Sequence, residues 1–287
     1  MATGTEIRTF FEGRWHDGDV PIMRAADHGS WLGTTVFDGA RHFDGVTPDL
    51  LAHCARANRS AEVLGITPTL GAEEMEAIAC EGLSAYGPDA AIYVRPMYWA
   101  LDGGDLGVNP EPGRTGFALC LERIAMPPAD AATTLTRTRF RRPVLEDNVT
   151  NAKAGCLYPN NARMLLEARA KGFGNALVAD AMGNVAESAT SNVFLVKDGV
   201  AVTPIPNGTF LAGITRARIM DLLRGDGVEV VEKVVPFAEV EAADEVFLTG
   251  NFAKVTPVKA FDDVTYQPGP VTRRARELYW DWALSGR

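Results

Sequence analysis

The sequence predicts a mixed α/β chain of the α+β kind, with helices and β-hairpins interleaved rather than alternating strictly. Hairpin turns are signalled at Gly13 and Asp198-Gly199 and a strand-closing turn at Asp44-Gly45, each beside short runs of apolar and β-branched residues. Helical stretches open at Asp49 and Gly213, and several others interrupt the strand signals. No GxGxxG run follows a strand, so a doubly wound, dinucleotide-binding sheet is unsupported.

In order along the chain, Ile7 to Phe11, Gly13 and Trp15 read as a hairpin, and a strand runs from about Thr34 to Phe43. Asp49 offers an N-cap for a helix carrying Leu51, Ala55 and Arg56 towards Leu64, and a second helix covers Glu73 to Tyr86. The strand Ala90 to Trp99 follows, and its period of two puts Tyr93, Arg95 and Met97 on one face. An arginine among apolar and aromatic neighbours needs a partner. A structural ion pair and a carboxylate-binding role are both open for Arg95.

The run Ala125-Met126-Pro127-Pro128-Ala129-Asp130 combines two prolines with small residues, so residues 125–132 are expected to link a small N-terminal domain (1–124) to a larger C-terminal one (133–287). A helix from about Leu157 ends at Gly172. Ala176 to Asp180 and Val193 to Val196 read as strands separated by a Gly183-Asn184 turn, and Asp198-Gly199 leads into Val200 to Thr203. A helix from Gly213-Ile214-Thr215 to Leu223 precedes strands at Val228 to Val235 and Glu245 to Thr249. A final helix starts near Thr272.

Composition narrows the function. The 287 residues, 46% hydrophobic, suffice for a substantial core. A net charge of -9 disfavours nucleic acid, whose binders concentrate positive charge, and directs attention to a small-molecule substrate. No apolar run reaches the length of a membrane span and the N-terminus lacks a signal-peptide layout, so no membrane role and a cytoplasmic location are expected. Cys54, Cys80, Cys120 and Cys156 form no CxxC pair, and His16, His28, His42 and His53 are dispersed. Neither a metal site nor a disulfide framework is suggested, and buried free thiols are expected.

Lysine is scarce, being confined to Lys153, Lys171, Lys197, Lys233, Lys254 and Lys259. Lys153 lies in Thr150-Asn-Ala-Lys-Ala-Gly155, where small neighbours would let a flat ring approach and desolvate the amine, as Schiff-base formation and proton transfer require. Lys197, in a hairpin turn, reads as exposed. Taken alone, this segment does not make Lys153 catalytic.

Its company does. The runs KAGCLYPNNARMLLEARAKGF, GNVAESATSNVFLVKDG, FLAGITRARI and ADEVFLTGNFAKVTPV, together with HGSWLGTTVFDGAR, HCARANRSA and YVRPMYWALDGGDLGVNP, resemble the class IV aminotransferases in order and spacing. Within that family the chain is similar to the branched-chain aminotransferases. The resemblance implies the fold-type-IV architecture, two domains with the active site between them, and pyridoxal 5'-phosphate as cofactor. It makes Lys153 the lysine that holds the cofactor and carries the proton between the substrate α-carbon and C4′. Glu187 becomes the partner of the pyridine nitrogen, a role that suits a carboxylate able to keep that nitrogen protonated.

By the same resemblance Tyr158 bonds the phenolic oxygen, Arg56 binds the phosphate and Leu211 packs on the ring. Gly213, Ile214 and Thr215 offer the N-terminus of a helix to the phosphate, which elementary electrostatics also favours. Phe37, Tyr93 and Arg95 match substrate-pocket residues. The 250–253 turn, with Asn251 and Phe252, matches the loop that meets the substrate carboxylate. The loop around Leu106 and Val108 is expected to reach the other subunit's active site, which implies a homodimer.

Two positions depart from the family: Leu32 stands where a tyrosine is usual, and Asn251 where a threonine usually contributes to phosphate and carboxylate binding. The expected reaction is transfer of an amino group from a branched-chain L-amino acid to a keto acceptor such as 2-oxoglutarate or pyruvate. The departures keep an (R)-selective amine transaminase as the alternative, and Asn251 is reminiscent of aminodeoxychorismate lyases, a more distant reading.

Overall fold

A computed structural model describes residues 4–285; the outermost residues of the two expected domains, 1–3 and 286–287, lie outside the described residues. The chain divides into two compact units. The described residues up to Met126 form the first together with Ala152–Leu157, and Pro127–Asn151 with the residues from Tyr158 onward form the second. The change at Met126 falls inside the Pro-rich 125–132 stretch.

In the first unit β1 (Thr5–Phe11) and β2 (Arg14–Asp17) make the expected hairpin. Its turn residues Glu12 and Gly13 are both left-handed (φ 50° and 76°), as a two-residue turn matching strand twist demands. Then come α1 (His28–Leu32), β3 (Thr35–Phe37), β4 (Ala40–His42), α2 (Leu50–Val63), α3 (Ala72–Leu83), β5 (Ile92–Ala100) and β6 (Thr115–Arg123). The antiparallel sheet runs β2-β1-β6-β5-β3, with β4 also on β5. Helix α2 buries His53, Cys54, Arg56, Ala57, Ser60 and Ala61, a helical stripe.

Three expectations change here. The single strand over Thr34 to Phe43 is broken at Asp38-Gly39, because the Asp38 carboxylate accepts the Gly39 N–H at 2.7 Å. A side chain on Gly39 would collide with the Tyr93 phenol. Asp49 occupies the N-cap position of α2 in a left-handed conformation and makes no side-chain capping bond. Strand β6 was not anticipated, since a continuous apolar run such as Phe117 to Leu121 has no diagnostic period.

The lysine segment also differs: expected within the C-terminal domain, Ala152–Leu157 packs with the first unit. Phe37 N–H donates to Lys153 O at 3.1 Å, Lys153 N–H donates to Ser60 Oγ at 3.0 Å, and Ala154 bridges Val36. Gly155 lies where any side chain would overlap the Thr35 hydroxyl.

The second unit contains β7 (Thr133–Arg141), α4 (Tyr158–Ala170), β8 (Asn175–Ala179), β9 (Val185–Ser188), β10 (Asn192–Lys197), β11 (Val200–Pro204), α5 (Ile214–Gly225), β12 (Val230–Lys233), α6 (Phe237–Glu241), β13 (Glu245–Gly250), β14 (Lys254–Phe261), β15 (Val264–Thr265) and α7 (Pro270–Leu284). The mixed sheet runs β12-β11-β10-β13-β14-β7-β8-β9, and β15 joins β14. Pairs β11/β12, β7/β14 and β7/β8 are parallel. One face buries Leu135, Leu177, Val193, Leu195, Val246 and Leu248. On the other face Phe194 and Phe247 stack with centroids 4.9 Å apart.

The Gly183 turn leads from β8 into β9 rather than directly to the Val193 strand, and a second tight turn over Ser188–Ser191 continues into β10. Strands β7 and β14 were not foreseen. β7 alternates Thr and Arg and exposes one side, and β14 opens directly from the hairpin after Gly250. Among the described residues no helix is long and apolar enough to cross a membrane.

Candidate active site

The first unit collects Lys153 with Phe37 and Arg56. Both backbone groups of Lys153 are engaged, by Ser60 on α2 and Phe37 on β3, so the base of the side chain is fixed. The side chain is half-buried, and its Nζ lies 4.8 Å from the centre of the Phe37 ring. A fixed, partly desolvated amine is what a nucleophilic lysine needs.

Arg56, buried on α2, is held by Asp38 in a fork: Nε donates to Oδ2 at 2.6 Å and Nη2 to Oδ1 at 2.8 Å. His53 Nδ1 lies 2.7 Å from the same Oδ1. Burial by itself raises the Asp38 pKa, but the adjacent Arg56 and His53 outweigh it and hold the carboxyl well below the usual carboxylate range. Neither Asp38 nor His53 was singled out from the sequence, although Asp38 lies one residue from Phe37.

Arg95 has its partner in Glu122 on β6, and its guanidinium lies 5.2 Å from the Tyr93 ring centre. The ion-pair reading of Arg95 thus has a concrete acceptor. Tyr93 is buried with its phenol against Gly39. Leu32 ends α1 at 39% exposure. Leu106 and Val108, in the loop between β5 and β6, are 85% and 73% exposed.

In the second unit Tyr158 opens α4 and is half-buried. Glu187, on β9, is buried rather than at a solvated strand end. Arg142 Nε lies 3.1 Å from Glu187 Oε1 as an ion pair, without the alignment of a hydrogen bond. The guanidinium is anchored by Asn161 and by the Ser188 and Ala189 carbonyls at 3.0 and 3.1 Å. Asn192 Nδ2 donates to Glu187 Oε2 and to Leu211 O, both at 3.2 Å. One asparagine therefore ties Glu187 to the segment that enters α5. Arg142 escaped sequence reasoning because the sheet, and not any local motif, brings it to Glu187; Asn192 sits five residues beyond Glu187, across the tight Ser188–Ser191 turn, and no feature of that run marks its amide as a tie.

Gly213 occupies the N-cap of α5, where no side chain caps the helix, and Ile214 and Thr215 form its first turn. Asn192 Oδ1 stands where a Gly213 side chain would be. The 250–253 turn joins β13 to β14. It holds Asn251, whose Oδ1 accepts from Lys254 Nζ at 2.7 Å, and Phe252.

Among the described residues no cluster of His, Cys, Asp or Glu could hold a metal ion. Cys54 and Cys120 are buried as expected of free thiols, but Cys80 and Cys156 are exposed.

The pattern of Amino-transferase class IV matches residues 35–261. The branched-chain-amino-acid aminotransferase of Salmonella typhimurium is 31% identical, over 93% of this chain and 89% of that protein. An aminotransferase from Brucella abortus, solved bound to the co-factor PLP, is 56% identical with a TM-score of 0.95, over 97% of this chain and 99% of that one. The Escherichia coli branched-chain amino acid aminotransferase is 28% identical with a TM-score of 0.90, over 96% and 94%. With its mixed α/β fold and a match over most of its length, this chain belongs to the class IV aminotransferases.

Proposed function

We propose that the chain is a pyridoxal-phosphate-dependent aminotransferase that moves an amino group from a branched-chain L-amino acid to a 2-oxo acid such as 2-oxoglutarate or pyruvate. The observation that carries this reading is Lys153, an amine pinned at its base by Ser60 and Phe37 and partly desolvated against the Phe37 ring. The identity to enzymes named for branched-chain amino acids supports the donor, and the PLP-bound relative supports the cofactor.

The residues present suit that cofactor. The uncapped first turn of α5 offers free N–H donors and the positive end of its dipole to a phosphate. Glu187, ion-paired with Arg142, offers a fixed carboxylate to a protonated ring nitrogen. When bound, pyridoxal phosphate supplies an electron sink and carries the amino group between donor and acceptor.

Lys153 would hold the cofactor through Nζ and, once released by the donor, move the proton from the substrate α-carbon. Tyr158 would set the polarity at the phenolic oxygen, Arg56 would bind phosphate, and Leu211 would pack on the ring. Phe37, Tyr93 and Arg95 would line the substrate pocket, and the turn carrying Asn251 and Phe252 would meet the substrate carboxylate. Leu106 and Val108, both largely exposed, suit a homodimer in which each copy's loop contacts the other. A cytoplasmic enzyme fits this role.

The test is a single-turnover titration of the yellow holoenzyme with L-leucine and with (R)-1-phenylethylamine, beside Lys153→Ala. Bleaching of the visible band by L-leucine, and loss of band and turnover in the variant, are expected. A band that responds only to the amine overturns the branched-chain donor in favour of an (R)-amine transaminase. Retention of band and turnover by Lys153→Ala overturns the lysine.

A further inference from the structure

Lys254 is 1% exposed and adopts a left-handed backbone (φ 63°) as the first residue of β14. A left-handed backbone ordinarily favours glycine. A lysine there incurs a backbone cost and a desolvation cost together, and neither is offset unless its amine holds something. It donates to Asn251 Oδ1 at 2.7 Å and lies 5.5 Å from the centre of the Tyr279 ring.

The direction of that bond decides the chemistry of Asn251. An ammonium only donates, so the amide must turn its oxygen towards Lys254; the reverse orientation would set two donors against each other. The amide nitrogen is thereby fixed as a donor turned away from Lys254. It is buried and has no partner.

A second buried polar group lies two residues before Asn251. Thr249, 1% exposed, has a hydroxyl without a partner. It stands directly across from Asn192 in the β10/β13 ladder, so the two side chains share a sheet face. Asn192 on that face bonds Leu211 O and abuts Gly213. The Thr249 hydroxyl therefore faces the uncapped N-terminus of α5.

We propose that Thr249, Asn251 and Lys254 complete, with the first turn of α5, a cup for the cofactor's phosphate, in which Lys254 is a positioning residue that fixes Asn251 as a donor. The inference rests on the aminotransferase reading and adds Thr249 and Lys254 to the residues through which the chain selects a phosphorylated cofactor. The buried donors have no acceptor until a dianion arrives, and phosphate supplies several acceptor oxygens at once.

The experiment strips the full-length protein of cofactor and titrates it with pyridoxal phosphate and with unphosphorylated pyridoxal, using inorganic phosphate as competitor. Lys254→Met and Thr249→Val should each raise the Kd for pyridoxal phosphate about tenfold, the value of one hydrogen bond to a charged group, and change that for pyridoxal less than about twofold. Asn251→Asp keeps a partner for Lys254 while replacing the donor by a carboxylate oxygen. It should weaken pyridoxal phosphate further and abolish competition by phosphate, which keeps the test decisive if Lys254→Met does not fold. Equal weakening of both ligands, or of neither, overturns the cup. So does an unchanged cofactor Kd with a raised KM for L-leucine, which would assign the donors to the substrate carboxylate. Failure of the unmodified protein to bind pyridoxal phosphate at all would instead overturn the aminotransferase reading itself.

Discussion

Asp38 grips Arg56 along one edge of its guanidinium, accepting from Nε at 2.6 Å and from Nη2 at 2.8 Å, with the carboxylate fully buried. The pair orients the arginine proposed for phosphate. Removing one partner of a buried pair leaves the other charge uncompensated, so Asp38→Asn should cost about 3 kcal/mol of stability. Arg56, freed of its fork, should also release pyridoxal phosphate faster on dialysis. Thermal unfolding with and without cofactor checks both, and an unchanged melting temperature would show that the fork contributes nothing.

Arg142 does for Glu187 what Asp38 does for Arg56. Its Nε faces the carboxylate while the rest of the guanidinium is spent on Asn161 and two carbonyls. Without that cation a buried carboxylate takes up a proton more readily, and a protonated Glu187 cannot support a protonated ring nitrogen. Arg142→Leu should lower kcat about tenfold, the equivalent of ~1.4 kcal/mol, and move the acid limb of the pH–rate profile upward. Arg142→Lys should restore part of the profile; a fall in kcat with an unmoved acid limb would reduce Arg142 to a packing role.

Local chemistry made much of this chain legible beforehand. Turns that demand left-handed residues, at Glu12-Gly13, Asp44-Gly45 and Asp198-Gly199, fall where glycine and its neighbours predict them. What stayed hidden is what the sheets assemble. Arg142 reaches Glu187 only because β8 follows β7 in parallel and β9 turns back beside it, whereas Asn192 meets it across the tight Ser188–Ser191 turn. Lys153 joins the first unit through single hydrogen bonds to β3 and α2, a tertiary choice with no sequence period. Asp49 shows the reverse error: a good capping residue that does not cap, because its own backbone is left-handed.

The thiols offer a pH test. Burial, aided for Cys54 by Glu76, Asp38 and Cys80, raises its pKa from 9.0 to about 12. Burial likewise raises Cys120 to about 12, with Arg95 opposing and Glu122 adding to it. A raised thiol pKa contributes stability that is fully present below about 9 and is lost as pH climbs towards 12. In the native protein Cys54 and Cys120 should therefore resist iodoacetamide at pH 8.5, and stability should fall in the window from roughly pH 9 to 12. Mass mapping of alkylated cysteines checks the first point, and rapid native-state labelling of either residue would contradict the burial.

Glu245, the first residue of β13, caps the N-terminus of α7 from another element. Its Oε1 accepts the Val271 N–H at 3.2 Å and its Oε2 the Thr272 N–H at 2.8 Å. Two donors that the helix cannot satisfy internally are thus met by one buried negative charge at the positive end of the dipole. The same carboxylate fills the space beside Gly269, so a methyl group there would strike it. Glu245→Ala should cost about 2 kcal/mol, the upper end for a lost cap. Gly269→Ala should be at least as damaging, because it displaces the cap without removing its charge. Helix α7 carries Tyr279, which lies over Lys254, so loosening the cap should also weaken selection of pyridoxal phosphate over pyridoxal. If both variants melt as the unmodified protein does, α7 is held by packing alone and the link from its cap to Lys254 is broken.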